Sequence, residues 1–291
     1  MLLSQLLING LVTGCILGLI AISWALIYST AGIFHVAHAG IYTLGGYLAW
    51  SLVTHGVPTL PAFIIAIAIC ALVGAAIQTQ LYNRLADRQA TPLVILVASL
   101  GTLAIIQNTI AMIYTTNILQ FPLGWNRAVI GIANNSIRLS YPQILTLFAG
   151  AALCLGTICF TRYTGLGKRI RAVANNPFLA DITRLRPRQT YTYVMAIASG
   201  MVGLCGILVS LDFGLQPYNG VLPLMTATVA VFAGGIGSTL GAFAVALILS
   251  VLENLALLVM PGEWGVAIAF GIFIVFMLFL PTGLSSLYSR R

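Results

Sequence analysis

Charged side chains are scarce in this sequence of 291 residues: they make up 6% of it, whereas hydrophobic residues make up 60%. Soluble globular domains are about one quarter charged. The mean hydropathy is +1.03, and a helix that crosses a membrane needs about 20 mainly apolar residues. The shortage of charge therefore excludes a soluble domain and predicts an integral membrane protein with several crossings.

Lysine and arginine are absent before Arg84. No positively charged segment precedes the first apolar run, so we expect a retained first helix and not a cleaved signal peptide. The five cysteines all fall inside apolar runs, without the spacing of metal ligands, and are expected to be small buried side chains. His35 and His38 are three residues apart among apolar neighbours, which favours hydrogen-bonded histidines over a metal site.

Catalytic motifs are also missing. Lys168 follows Gly167, but a phosphate-binding loop would need glycine at position 162 and serine or threonine at 169, where the sequence has Arg162 and Arg169. The sequence contains neither a nucleophile elbow, an HExxH motif nor two carboxylates on one helix. We therefore expect a protein that is not an enzyme and needs neither a cofactor nor a metal ion.

Nine apolar runs follow one another along the chain, at about 4–29, 37–54, 60–82, 92–114, 141–161, 189–210, 222–236, 239–260 and 264–282. The run at 222–236 is short for a full crossing and is either re-entrant or broken. We expect an all-α membrane protein: a single transmembrane domain over 1–291 with about eight or nine transmembrane helices, including broken or re-entrant segments in each half.

The net charge of +8 comes from basic residues that lie between the apolar runs. This placement indicates a role in membrane orientation and not nucleic-acid binding. Seven of the 13 basic residues lie at 161–191, hereafter the basic interval, beside a single acid, Asp181. Placing this interval in the cytoplasm puts 11 basic residues inside (2 + 7 + 2) and the remaining two outside. The positive-inside rule therefore predicts an external N-terminus and a cytoplasmic C-terminus.

The basic interval is also amphipathic. Pro177 cannot lie within one uninterrupted helix, so we predict two short helices, at about 168–175 and 177–185, with Asn176 capping the second. Seven apolar residues recur at helical spacing: Ile170, Val173, Ala174, Pro177, Phe178, Ile182 and Leu185. This pattern predicts a cytoplasmic docking loop at 165–185 that offers a basic rim to water and an apolar stripe to a partner. The interval 115–141 is expected to be an exterior loop with a hairpin around 133–136.

Two apolar segments, 26–47 and 222–241, are interrupted by glycine and polar residues. Broken helices at membrane depth survive where protein or water satisfies the freed backbone groups, so the two segments could line a central substrate path. Tight helix packing through small residues is the alternative. The candidate path residues are His38, Gly40, Tyr42, Gly45, Thr226, Thr228, Gly234, Gly235, Gly237 and Glu253. For Glu253, a structural pairing and a role in transport both remain open.

Three stretches resemble the permease subunits of ABC importers of the branched-chain amino acid class: 17–47, 165–180 and 226–241, the last followed by the LPTG sequence at 280–283. The sequence departs from that family at Ala39 and at 181–187. The resemblance implies a bacterial inner-membrane complex with two ATP-binding subunits, a second permease and an extracytoplasmic binding protein. It implies ATPase docking by Gly165, Gly167, Arg169, Ile170, Arg171, Val173, Ala174, Asn175, Pro177, Phe178 and Ala180.

The resemblance implies a branched-chain or other neutral amino acid as substrate. The small number of charges around the candidate path suits such a substrate. Related permeases carry urea and short amides, so the motifs leave those substrates open. A single-chain secondary transporter is a further alternative, although it would require several intramembrane ionisable residues, and the sequence offers only Glu253 and the histidines.

Overall fold

A computed structural model describes residues 2–125, 129–132, 137–259 and 261–279. Its elements, in chain order, are α1 (Leu2–Ala31), α2 (His38–Thr54), α3 (Thr59–Ile77), a π-helical turn (Gln78–Tyr82), α4 (Asn83–Asp87), α5 (Pro92–Tyr114), β1 (Val129–Ile132), β2 (Ile137–Ser140), α6 (Tyr141–Tyr163), α7 (Gly165–Asn175), α8 (Pro177–Ile182), α9 (Pro187–Phe213), α10 (Val221–Gly234), α11 (Thr239–Ala256), a 3₁₀ turn (Gly262–Trp264) and α12 (Gly265–Phe279).

Each of the nine predicted apolar runs corresponds to a helix. Six helical segments in the described part of the chain are long and apolar enough to cross a membrane: 2–31, 59–87, 92–114, 141–163, 187–213 and 239–256. The remaining apolar helices are shorter, at 17 residues for α2, 14 for α10 and 15 for α12. The predicted all-α membrane fold is therefore confirmed in its broad form, with short helices α2 and α10 at the two interrupted segments.

The predicted hairpin is present as well. Strands β1 and β2 pair in antiparallel fashion, with Val129 opposite Ser140, and the turn predicted at 133–136 lies outside the described residues. Ser140 then starts α6 through a capping box: its Oγ accepts a hydrogen bond from the backbone N–H of Gln143 at 3.4 Å, and Gln143 Oε1 accepts one from the backbone N–H of Ser140 at 3.1 Å.

The bundle has two distinct ends because α6 joins the hairpin at one end and α7 at the other; we call these the hairpin end and the α7 end. Helix α1 starts at the hairpin end, where Gln5 exchanges hydrogen bonds with the backbone of Arg138 at 2.8 and 2.9 Å. Asp87 forms an ion pair with Arg188, which places the end of α4 and the start of α9 together at the α7 end.

Glycines bring the central helices into backbone contact. A Cβ on Gly45 of α2 would collide with the backbone of Gly203 of α9, and a Cβ on Gly206 would collide with the carbonyl of Tyr42. In α1, a Cβ on Gly14 would lie 3.0 Å from the Cα of Leu247 in α11. Small residues give membrane helices this closeness, so the core is built around α1 and α9, with α2, α3 and α11 packed against them.

Candidate functional site

Helix α7 turns its apolar side chains towards its own chain. Ile170 is 4% exposed and Val173 is fully buried. Ile170 belongs to a buried cluster with Leu26 of α1 and Met195 of α9. Neither side chain is therefore available to a partner, and the docking stripe predicted from the sequence must be revised. The periodicity located an apolar face, but that face covers the α7 end of the bundle.

Helix α8 presents the opposite arrangement. Phe178, Leu179 and Ile182 are 75%, 56% and 64% exposed, whereas Ala180 is buried. The predicted break between the two helices is confirmed, because Asn176 Oδ1 accepts a hydrogen bond from the backbone N–H of Leu179 at 3.0 Å. A groove of about 510 Å³ runs beside α8 and is lined by Pro177, Phe178, Asp181, Arg186, Pro187, Arg188, Gln189 and Tyr191.

The remaining predicted docking residues divide between these two environments. Gly165 and Arg169 are exposed, whereas Gly167 is buried against the backbone of residues 160 and 161. Arg171 donates a hydrogen bond to the backbone carbonyl of Arg162 at 3.3 Å. Ala174 and Asn175 line a hollow of about 240 Å³ shared with the last turns of α1 and with the start of α11. The docking loop is thus partly built into the bundle.

The second interrupted segment forms a tight connection at the α7 end. Gly234 packs against the backbone of Gly241, while Gly235 and Gly237 adopt positive φ values of 95° and 90°, which glycine accommodates readily. Ser238 caps α11, because its Oγ accepts a hydrogen bond from the backbone N–H of Gly241 at 3.1 Å. Gly237 lines the same hollow as Ala174 and Asn175. These three predicted path glycines therefore lie beside the docking loop.

The first interrupted segment is held by side chains. His38 lies 2.8 Å from Ser23 Oγ, His35 lies 2.7 Å from Tyr82 Oη, and the backbone N–H of Ala37 donates to Ser99 Oγ at 3.0 Å. Both histidines are fully buried. The expectation of hydrogen-bonded histidines is confirmed, and the break between α1 and α2 is fastened to α3, through the π-helical turn, and to α5.

Three further path candidates lie on α2. A Cβ on Gly40 would lie 3.2 Å from the side chain of Ile106 in α5, and Gly45 occupies the crossing with α9. Tyr42 is buried and lines a narrow hollow together with Tyr47 and Asn219. Helix packing thus accounts for both glycines, and Tyr42 is the member of this set that borders a hollow.

The threonines and the glutamate are spread over the second half of the chain. Thr226 is buried and its hydroxyl donates to the carbonyl of Leu222 at 3.3 Å, while the hydroxyl of Thr228 donates to the carbonyl of Met225 at 2.7 Å. Glu253 is half-buried near the end of α11. Fourteen residues along a helix span about 21 Å, so the structure separates Glu253 from the glycine connection that precedes Thr239.

Comparison with known proteins assigns the chain to a family. The family model for the branched-chain amino acid transport system permease component matches residues 6–277. The chain belongs to this permease family. The high-affinity branched-chain amino acid transport system permease protein BraD of Pseudomonas aeruginosa is 27% identical over 292 residues, covering 96% of this chain and 94% of BraD. The corresponding protein LivH of Escherichia coli K12 is 26% identical with the same coverage.

A solved structure shows the same fold. The chain aligns with PsaBC from Streptococcus pneumoniae, determined in complex with Fab, at a TM-score of 0.51 and 15% sequence identity. The alignment covers 92% of this chain and 90% of that chain. At this identity the likeness concerns the path of the backbone, and it agrees with the helical order of the permease described above.

The structure of this permease also reveals a polar pair that the sequence analysis missed. Tyr218 Oη donates a hydrogen bond to Asn108 Oδ1 at 3.2 Å, and both residues are exposed. Asn108 lies within the spanning helix α5, where an exposed amide would be costly against hydrocarbon. This face of α5 is therefore suited to water or protein. The run Gln107–Asn108–Thr109 was a sequence signal, but its partner is 110 residues away.

Proposed function

We propose that this chain is the membrane-spanning permease subunit of a bacterial importer for branched-chain or other neutral amino acids. The observation that carries the proposal is the family match over residues 6–277. The names of BraD and LivH state a high-affinity branched-chain amino acid transport system permease, and both align along almost their entire length with this chain. Their function is transferred here to a chain that has six helices long and apolar enough to cross a membrane in its described part.

ATP hydrolysis is assigned to separate subunits that bind α8. The exposed apolar residues Phe178, Leu179 and Ile182 form an unpaired surface next to the basic groove. A short helix that inserts apolar side chains into a partner's groove is a common mode of recognition. Pro177, Phe178 and the exposed basic residues thus remain the proposed docking set, whereas Ile170 and Val173 act by fixing α7 beneath it.

The α7 end is assigned to the cytoplasmic side of the inner membrane, and the hairpin end to the exterior. Arg84, Arg88 and the seven basic residues of the basic interval lie at the α7 end or in its connections, as the positive-inside rule requires. Single cysteines at positions 3 and 130 are expected to react with an impermeant thiol reagent in intact cells, and one at position 176 only after permeabilisation. Labelling of position 176 in intact cells would reverse this orientation.

The substrate path is assigned to the face that contains Asn108 and Tyr218, together with the narrow hollow that Tyr42 and Asn219 line. These groups can hydrogen-bond a carboxylate or an ammonium group, while the surrounding apolar helices suit an aliphatic side chain. A second permease would cover this face, and an extracytoplasmic binding protein would deliver substrate at the hairpin end. Thr226 and Thr228 remain proposed path residues, although both hydroxyls are engaged with their own helix.

Uptake of labelled leucine tests the function in cells that contain or lack the gene. We expect uptake that depends on this chain, is competed by isoleucine and valine, and stops when ATP is depleted. Competition by urea or acetamide without competition by valine would favour the related amide importers. Uptake that survives ATP depletion but is abolished by a protonophore would contradict the proposal and favour a secondary transporter.

A further inference from the structure

A cleft at the α7 end combines two arginines with an apolar edge. It has a volume of about 430 Å³ and is lined by Ile158, Thr161, Arg162, Arg171, Ser238, Thr239 and Leu240. The hollow of about 240 Å³ beside α1 shares Thr161, Arg171 and Thr239 with it. The cleft is therefore formed by the end of α6, by α7 and by the start of α11.

The two guanidinium groups lack a carboxylate in this cleft. None of the described residues that line it is acidic. The sequence has five acidic residues in all; Asp87 pairs with Arg188, Asp181 lines the groove beside α8, and Asp212 accepts hydrogen bonds from Ser140 and Gln143. Of the other two, Glu253 lies near the end of α11, away from the cleft, and Glu263 lies in the 3₁₀ turn beyond that helix. Both arginines line one cleft, and Arg171 donates only to the backbone carbonyl of Arg162 among the described residues. Their remaining guanidinium donors can bind an external anion.

The position of the cleft indicates the source of that anion. Arg162 is the second-last residue of the spanning helix α6, and Thr239 is the first residue of the spanning helix α11. Tyr163, whose ring lies 5.7 Å from the Arg162 guanidinium carbon, is exposed at this level, as aromatic side chains at membrane interfaces are. Leu240 and Leu155 are exposed within the two spanning helices. The basic residues of the cleft thus adjoin an exposed apolar surface of two spanning helices.

The geometry points to a binding site for one anionic phospholipid, with its phosphate between Arg162 and Arg171 and an acyl chain along Leu240 and Leu155. Guanidinium groups bind phosphate through paired hydrogen bonds, and the hydroxyl of Thr239, which also lines the cleft, adds a donor. A bound lipid would connect α6, α7 and α11 at the base of the docking loop. Arg171, assigned to ATPase docking from the sequence, would thereby act through a bound lipid.

Retention of phosphatidylglycerol by the purified full-length chain tests this inference. Native mass spectrometry of the chain, exchanged from detergent containing phosphatidylglycerol or phosphatidylcholine, counts the lipids that stay bound. The double variant Arg162→Gln and Arg171→Gln is compared with the double variant Arg169→Gln and Arg184→Gln, which removes the same charge from exposed positions that do not line the cleft. We expect loss of one tightly bound phosphatidylglycerol in the first variant and normal retention in the second.

Each arginine near a membrane surface is worth about 1 kcal/mol towards anionic lipid, so affinity should fall about fivefold per arginine. The pair Arg162→Lys and Arg171→Lys keeps the charge and should retain the lipid more weakly than the native chain, which separates binding from misfolding. Equal losses in both glutamine variants, or an unchanged count in the first, would overturn the site. Displacement of the lipid by millimolar inorganic phosphate would instead assign the cleft to a free anion. Because the assay contains neither substrate nor ATPase, it is independent of the transport proposal.

Discussion

Helices α7 and α8 are neighbours in one basic interval, yet they face opposite ways. Ile170 and Val173 of α7 are buried against the bundle, whereas Phe178 and Ile182 of α8 are exposed. The Asn176–Pro177 break changes the helix direction between them. One amphipathic pattern can therefore contain a half that packs against its own chain and a half that is free to bind a partner. Substitutions in α7 should therefore reduce the stability of the protein, whereas substitutions in α8 should reduce partner binding.

The largest effect is expected for Ile170→Asp, because it places a charge in the buried cluster around Leu26 and Met195. Loss of the buried side chain and the cost of an unpaired carboxylate together should exceed about 4 kcal/mol. Ile170→Leu is the control and should cost less than about 1.5 kcal/mol. Yield and thermal stability of the detergent-purified chain measure both. A stable, monodisperse Ile170→Asp protein would show that α7 is not anchored as described.

The second effect concerns the joint between α6 and α7. A Cβ added by Gly167→Ala would overlap the backbone of residues 160 and 161, which cannot move aside as a side chain can, so we expect a loss of about 1–3 kcal/mol. Gly165→Ala is matched to it, because a Cβ there would have none of the described heavy atoms within 4 Å. Thermal unfolding compares the two; equal melting temperatures would contradict a tight joint.

A smaller effect is expected at the base of α9. Arg188 pairs with Asp87, and both side chains are more than half exposed, so Arg188→Gln should cost at most about 1 kcal/mol. The loss should disappear at high salt, where exposed charges are screened. Melting temperatures at low and high ionic strength measure it, with Arg184→Gln as the control of equal charge. At 1 M salt the screening length is about 3 Å. A loss of stability that persists there would mean that the pair is not simply an exposed ion pair.

The smallest stability effect belongs to the double variant Phe178→Asp and Ile182→Asp. Both side chains are exposed, so the change in unfolding free energy should stay within about 0.5 kcal/mol. Co-purification of ATPase subunits and leucine uptake should nevertheless be lost, because the proposed docking surface becomes charged. Val259→Asp, an exposed apolar residue beyond α11, should keep both. Co-purification of the ATPase subunits with the α8 variant would contradict the docking proposal.

Local signals in the sequence predicted much of this permease. Asn176 and Pro177 predicted the break in the basic interval, and the lengths of the apolar runs predicted the positions of the long helices. Periodicity could not tell which face of α7 would be covered, because that depends on α1 and α9, which are distant in sequence. The glycines show the same limit. Gly45 and Gly234 were predicted as path residues from their own segments, and their contacts with Gly203 and Gly241 could not be predicted from those segments.

Helix α9 has a mechanical consequence. Its 27 residues extend for about 40 Å, from Arg188, tied to Asp87 at the α7 end, to Asp212, which accepts hydrogen bonds from Ser140 and Gln143 at the hairpin end. Backbone contact with α2 through Gly203 and Gly206 stiffens it between these attachments. Such a rod, anchored at both ends, would transmit a pull at α8 to the opposite face of the membrane with little loss in bending.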